Sequence, residues 1–465
     1  MRATIAVTIT LALLALHGVE ARQPRSVSLV VTGGTVVTMD AARRVLVDGA
    51  VAVDADRIVA VGPAAEIAAA YRGREVIDAT GQVILPGLIN THTHAPMVLY
   101  RGLADDLALM DWLQQYIFPA EAKTVSPAFV RTGTRLAVLE LIQSGTTAYA
   151  DMYYFQEEVA AVTKAAGLRG VLGQTIIQFP VADAKTPVEG LARAAAYIAR
   201  FKNDSLIVPA VATHALYTND PKTLIAGRDL AIRERVPLLI HLAETEDEVK
   251  VAKERGATSP TAYLDGLGFF TGATTLAAHG VWVSPDDIAT LARRGVGVSH
   301  NPESNMKLAS GTAPVTGYLA AGVALGLGTD GAASNNDLDM FEAMRQASFL
   351  AKLATRDPRA VGAQTALEMA TLGGARALGM ADRLGSLEAG KLADLITVRM
   401  GAARQTPMYD PVSHLVYTTR GDDVDTTIVG GRVLMRARHV LTLDAPAVLA
   451  EARAAAEQVR AAVRK

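Results

Sequence analysis

The chain of 465 residues is 50% hydrophobic and 20% charged, with 45 Lys and Arg against 47 Asp and Glu and no cysteine. These figures exclude a disordered chain, disulfides and thiolate metal ligands, and they show no electrostatic footprint for nucleic acid or an anionic membrane. A small uncharged or zwitterionic substrate is compatible with them, and on length alone two or three domains fit.

In chain order, residues 1–21 come first as a signal peptide. Met1-Arg2 precedes the apolar run Ala3 to Leu16, and Val19-Glu20-Ala21 suits a small-x-small cleavage site. Export to the periplasm is expected, with no membrane span once the leader is removed, because the run is shorter than the roughly 20 residues a spanning helix needs. Residues 27–82 then read as short strands with turn signals, and the same texture returns in 384–440. Two such fragments at opposite ends suggest one composite β-sandwich domain.

Between them, in 83–383, short apolar runs alternate with helical spacing. The candidate strands are Val83–Asn90, Thr146–Asp151, Gly170–Ile177, Ile207–Thr213, Leu238–Leu242, Thr274–Ala278, Gly295–Ser299 and Ala324–Thr329. Eight βα units over about 300 residues match the size of a (β/α)8 barrel, a TIM-like α/β fold whose active site gathers at the C-terminal strand ends. A doubly wound open sheet competes with it on strand count alone. Pro127 to Gln143 and Asp286 to Arg294 read as helices between strands, and 441–465 as a C-terminal helix with one apolar stripe.

Nine histidines are present, and His17 lies in the leader. Six of the others fall at or just past a strand end: His92, His94, His214, His241, His279 and His300. In an extended strand His92 and His94 point the same way, so both imidazoles can reach one ion. Each histidine taken singly is equally readable as a satisfied core residue. Jointly, His92, His94, His241 and Asp330 offer three neutral nitrogens and one carboxylate, the open ligand set of a hydrolytic metal centre. The third and fourth strands carry no lysine to bridge a second ion, so one divalent metal is expected.

At this point the residues resemble a known family. Pro86–His94, His241-Leu242-Ala243-Glu244-Thr245, Ser299–Asn305 and Gly328-Thr329-Asp330 look like the motifs of the amidohydrolase superfamily, in its mononuclear deaminase and chlorohydrolase branch. Asp111-Trp112-Leu113, Phe118-Pro119-Ala120-Glu121, Thr213-His214-Ala215 and Gly331–Asn336 are most similar to the members that deaminate 5-methylthioadenosine and S-adenosylhomocysteine. The resemblance implies a barrel with a β-sandwich from both chain ends and a single Zn2+, with Fe2+ in some relatives. It implies that Glu121 holds the ribose hydroxyls, Trp112 lies near the thioether side, His214 contacts the nucleoside and Arg169 meets an amino-acid carboxylate. Those relatives are cytoplasmic, so the leader is a departure that bears on the substrate rather than the chemistry.

Deamination of an aminopurine at C6 by a metal-bound hydroxide needs activated water and two protons, one for the ring nitrogen and one for departing ammonia. A bound zinc lowers the pKa of its water to roughly 7. Glu244, three residues past His241, is expected to face the substrate and shuttle protons, while His279 and Asp330 orient and deprotonate the water. Glu246, Asp247 and Glu248 read as surface acids at a helix N-terminus. The expected partner is a small molecule, and a homo-oligomer is compatible with the sequence. Two other functions use the same residues: hydrolysis of another amino- or chloro-heterocycle, such as an s-triazine, guanine or pterin, and ligand binding without turnover. Glu121 with His214 separates the first from an adenosine-type deaminase; Glu244 with His279 argues against the second.

Overall fold

A computed structural model describes residues 23–463; the leader expected at 1–21 lies outside them. Eight parallel strands close into a barrel: Leu88–Thr93, Thr146–Tyr153, Arg169–Thr175, Ile207–Ala212, Leu238–Leu242, Thr275–His279, Gly297–His300 and Leu325–Leu327, the last pairing back to the first. The closed path excludes the open doubly wound sheet. Inside, Ile89, Ala148, Val171, Ala210, Leu239 and Leu276 form one apolar cluster, which Leu378, Met380 and Leu384 close from below.

The helices sit where local chemistry starts and stops them. Pro127–Gln143 begins at Ser126, whose Oγ accepts the Phe129 N–H, and Pro285–Arg294 has a capping box at Ser284 and stops at Gly295 with φ +66°. Ala445–Val463 buries Val448, Ala452 and Val459 against the preceding chain, and Arg135 bonds its Glu451. Among the described residues no helix is long and apolar enough to cross a membrane.

The apolar run Val83–Asn90, read above as one barrel strand, divides at Gly87. Its first part, Gln82–Pro86, pairs antiparallel with Leu395–Arg399 and parallel with Arg25–Val37, and only Leu88–Thr93 joins the barrel. Gly87 lets the two sheets meet, because a Cβ there would lie 2.0 Å from Thr147 Oγ1. The sandwich therefore takes the form of one continuous nine-stranded sheet drawn from both chain ends, with Gln82–Pro86 joining the two contributions. Leu29, Val51, Ile84, Leu395 and Ile428 share its buried face.

Arg169 opens its strand, at the barrel's floor. Its Nε lies 2.9 Å from Asp394 Oδ2 and its Nη2 3.1 Å from Oδ1, and the residue is 3% exposed. The carboxylate contact expected for Arg169 is thus corrected: parallel strands place a strand's first residue at the end opposite the mouth, and this one fastens the barrel to the terminal sheet.

Candidate active site

The strand ends turn inward through strained backbone. Ala243, His279 and Asp330 have φ of 50°, 76° and 63°, the left-handed region that non-glycine residues seldom occupy. These turns bring the fifth, sixth and eighth strand ends toward the His92-Thr93-His94 segment of the first.

His92 Nε2 and His94 Nε2 each lie 3.3 Å from Asp330 Oδ1, and His241 Nε2 lies 3.2 Å from His94 Nε2. His94 Nδ1–H donates to the Met152 carbonyl at 2.6 Å, and His241 Nδ1–H to the His214 carbonyl at 2.8 Å. Those bonds fix the tautomers and leave both Nε2 atoms with lone pairs facing each other. Two lone pairs at that distance repel, and a cation between them converts the repulsion into coordination. His92 Nε2 is likewise buried with no hydrogen-bond partner. Burial holds the His92 ring down at about 4, with the Asp330 contact opposing it, so the imidazole is neutral and able to ligate. This donor set fits a divalent metal.

Asp330 is oriented from behind. Ser304 Oγ and Ser334 Oγ donate to its Oδ2 at 2.6 and 3.0 Å, and the Gly331 N–H donates to Oδ1 at 2.8 Å. Burial opposes the carboxylate's charge, but His92, His94 and His279 hold its pKa well below the usual range. Sequence reasoning gave Ser304 and Ser334 no role; both lie within quoted motifs, yet only the fold shows that they converge on one oxygen.

Glu244 follows the fifth strand, buried, with Oε2 3.7 Å from His279 Nε2. Burial, reinforced by the charge of Asp330, pushes its pKa well above the usual value, which favours its proton-donating form. His279 Nδ1–H donates to Asn305 Oδ1 at 2.9 Å, and burial keeps the ring neutral with Nε2 free. Glu248 corrects the surface reading given above. It is 2% exposed, and its Oε2 accepts the Glu244 N–H at 3.1 Å, which ties down the turn that aims Glu244. Burial pushes the Glu248 carboxyl up to about 8.

One cavity joins these groups to Trp112, Glu121 and His214. Glu121 comes from the helix Phe118–Thr124 and accepts the Tyr153 hydroxyl at 2.7 Å, and burial pushes its pKa up to about 7 despite that bond. His214 Nδ1 lies 3.0 Å from Thr218 Oγ1, and burial lowers its pKa to about 3, so the ring is neutral. Every site residue expected from sequence except Arg169 belongs to this constellation, with His92 buried beside the cavity. His300 also ends a strand, but both its ring nitrogens are buried without a partner and it does not line the cavity.

Comparison with known proteins now bears on this geometry. A sequence profile of the Amidohydrolase family matches residues 83–434. A 5-methylthioadenosine/S-adenosylhomocysteine deaminase of Syntrophobacter fumaroxidans is 48% identical over 432 residues, 93% of this chain and 98% of that one. A zinc-bound crystal structure of an adenosine deaminase from Xanthomonas campestris superposes with a TM-score of 0.92 at 41% identity, covering 94% of this chain and 100% of that one. The zinc complex of atrazine chlorohydrolase from Arthrobacter aurescens TC1 shares the fold, with a TM-score of 0.84 at 24% identity over 92% of this chain and 100% of that one. Profile and near full-length identity agree: the chain belongs to the amidohydrolase family, whose deaminases are hydrolases acting on carbon–nitrogen bonds, and it is an enzyme of that kind.

Proposed function

We propose that the protein is a metal-dependent hydrolytic deaminase of an adenosine-type nucleoside: adenosine, 5-methylthioadenosine or S-adenosylhomocysteine. The observation that carries this reading is the pairing, within one cavity, of the His/Asp metal group and Glu244 with a second buried carboxyl, Glu121, suited to a vicinal diol. The names of its relatives support the same substrate class. His92, His94, His241 and Asp330 would hold the metal, for which zinc is the choice the relatives favour. Zinc, when bound, supplies a Lewis acid that brings water toward ionisation near neutral pH.

The remaining work falls to side chains. Glu244, protonated, gives its proton to the purine ring nitrogen, N1, as negative charge develops there. His279 Nε2 accepts from the attacking water and aligns it. Asp330 takes the water's proton and returns it to the exocyclic amine; as ammonia leaves, the proton remaining on the C6 hydroxyl passes back to the Glu244 carboxylate, so that nucleoside and water become the 6-oxo product and ammonia with the enzyme restored. Glu121 receives the ribose hydroxyls, His214 meets the nucleoside and Trp112 covers the 5′ side. The test is ammonia release by zinc-loaded protein from adenosine, 5-methylthioadenosine, S-adenosylhomocysteine, guanine and melamine. Turnover confined to the nucleosides is expected; turnover of guanine or melamine alone would contradict the proposal. The leader in 1–21 supports export, which fractionation of the native host would test by the appearance of the shortened chain in the periplasm.

A further inference from the structure

The cavity offers acids and no fixed cation. Glu121, Glu244 and Asp330 line it, and among the described residues no Lys or Arg does. The segment after the first barrel strand contributes Leu109, Leu113, Ile117 and Phe118 to the wall, joined by Leu308. These side chains give the cavity an apolar wall against which a 5′ substituent can pack.

The neighbouring cations are already engaged. Lys307, adjacent to Leu308, bonds Asp105 Oδ1 and Asn336 Oδ1, both at 2.5 Å. Arg169 is paired with Asp394 at the barrel floor. A second groove shares Leu109 and Leu308 with the cavity, and it too is lined by acids, Asp111, Glu246 and Asp247, with no Lys or Arg among its lining residues. Lys250, the cation bonded at this acidic stretch, is spent on Asp247 at 2.7 Å. A 5′ substituent leaving the cavity toward that groove passes carboxylates, not cations.

From these contacts we infer that the site discriminates at the 5′ position, favouring a small, neutral, apolar group over a zwitterionic tail that ends in a carboxylate. The inference rests on the nucleoside-deaminase reading and narrows it. A methylthio group buries its methyl and sulfur against Leu109, Leu113 and Leu308, gaining transfer free energy with no polar group to satisfy. A homocysteinyl tail meets no cation for its carboxylate: in the apolar wall the group has no partner, and beside Asp111 and Glu246 only the ammonium is matched, so both placements weaken binding relative to a methylthio group.

The experiment is a comparison of kcat/KM on zinc-loaded protein for 5-methylthioadenosine, adenosine and S-adenosylhomocysteine. The expected result is a preference of about tenfold or more for 5-methylthioadenosine over S-adenosylhomocysteine. Turnover of all three with a smaller ratio, or with S-adenosylhomocysteine preferred, overturns the inference and leaves the deaminase reading intact. Turnover of none overturns both.

Discussion

The two ends of the barrel bury charge in opposite ways. At the floor Arg169 and Asp394 satisfy each other: two side-chain contacts join them, Arg169 Nη1 donates to the Ser205 carbonyl at 2.8 Å, and the Gly430 N–H donates to Asp394 Oδ1 at 2.8 Å. At the mouth His92 Nε2 has no hydrogen-bond partner, two imidazole lone pairs face each other, and burial pushes the Glu244 carboxyl well above the usual range. A closed set of partners fastens two pieces of chain together; an open set is competent to bind something else. Which of these a charged residue does here depends on the end of the strand it occupies.

Substitutions at the two ends should therefore separate activity from stability. The largest effect is expected at the mouth: Glu244→Gln should lower kcat by about 10²–10⁴ while elemental analysis still finds the metal. A variant with near-normal kcat would remove Glu244 from the proton path. At the floor, Arg169→Ala leaves Asp394 buried and unpaired and should cost about 3–5 kcal/mol in urea unfolding, with KM unchanged in the folded fraction. A rise in KM without loss of stability would return Arg169 to the substrate.

Two smaller effects sharpen the contrast. Ser304→Ala removes the shorter of the two hydroxyl bonds to Asp330 Oδ2 and should weaken zinc binding by about 10–100-fold, read by competition with a chelator. Glu121 gives a test of sign. Burial raises its pKa from 4.5 to about 7, so the folded state favours the proton, and stability falls as pH climbs across that interval. Glu121→Gln has no such proton to lose. Its stability relative to the parent should improve by up to about 3 kcal/mol from about pH 4 to about pH 8. A difference that stays flat with pH would mean that Glu121 is ionised throughout.

Much of this contrast was readable in the sequence, because short apolar runs ending in His or Asp marked the barrel strands and their C-terminal ends. Leu238–Leu242 falls where expected, and the other strands begin or end within a few residues of expectation, apart from the division of the first at Gly87. That division was hidden because Gln82–Pro86 and Leu88–Thr93 are equally apolar, and only pairing with Leu395–Arg399 separates them. Glu248 was hidden in a run of acids: Glu246 and Asp247 are exposed, and only the bond to the Glu244 N–H distinguishes the residue that is not. Ser304 and Ser334 meet at Asp330 from the short helix Pro302–Lys307 and from the turn after the eighth strand, a convergence that spacing along the chain does not record.

The central claim is that the mouth holds a single catalytic metal. Titrating metal-free protein with Zn2+ while following ammonia release from 5-methylthioadenosine tests it directly. The account predicts no activity before metal is added and a linear rise that breaks at one zinc per chain. Activity in the metal-free protein, or a rise continuing to two zinc per chain, would contradict it.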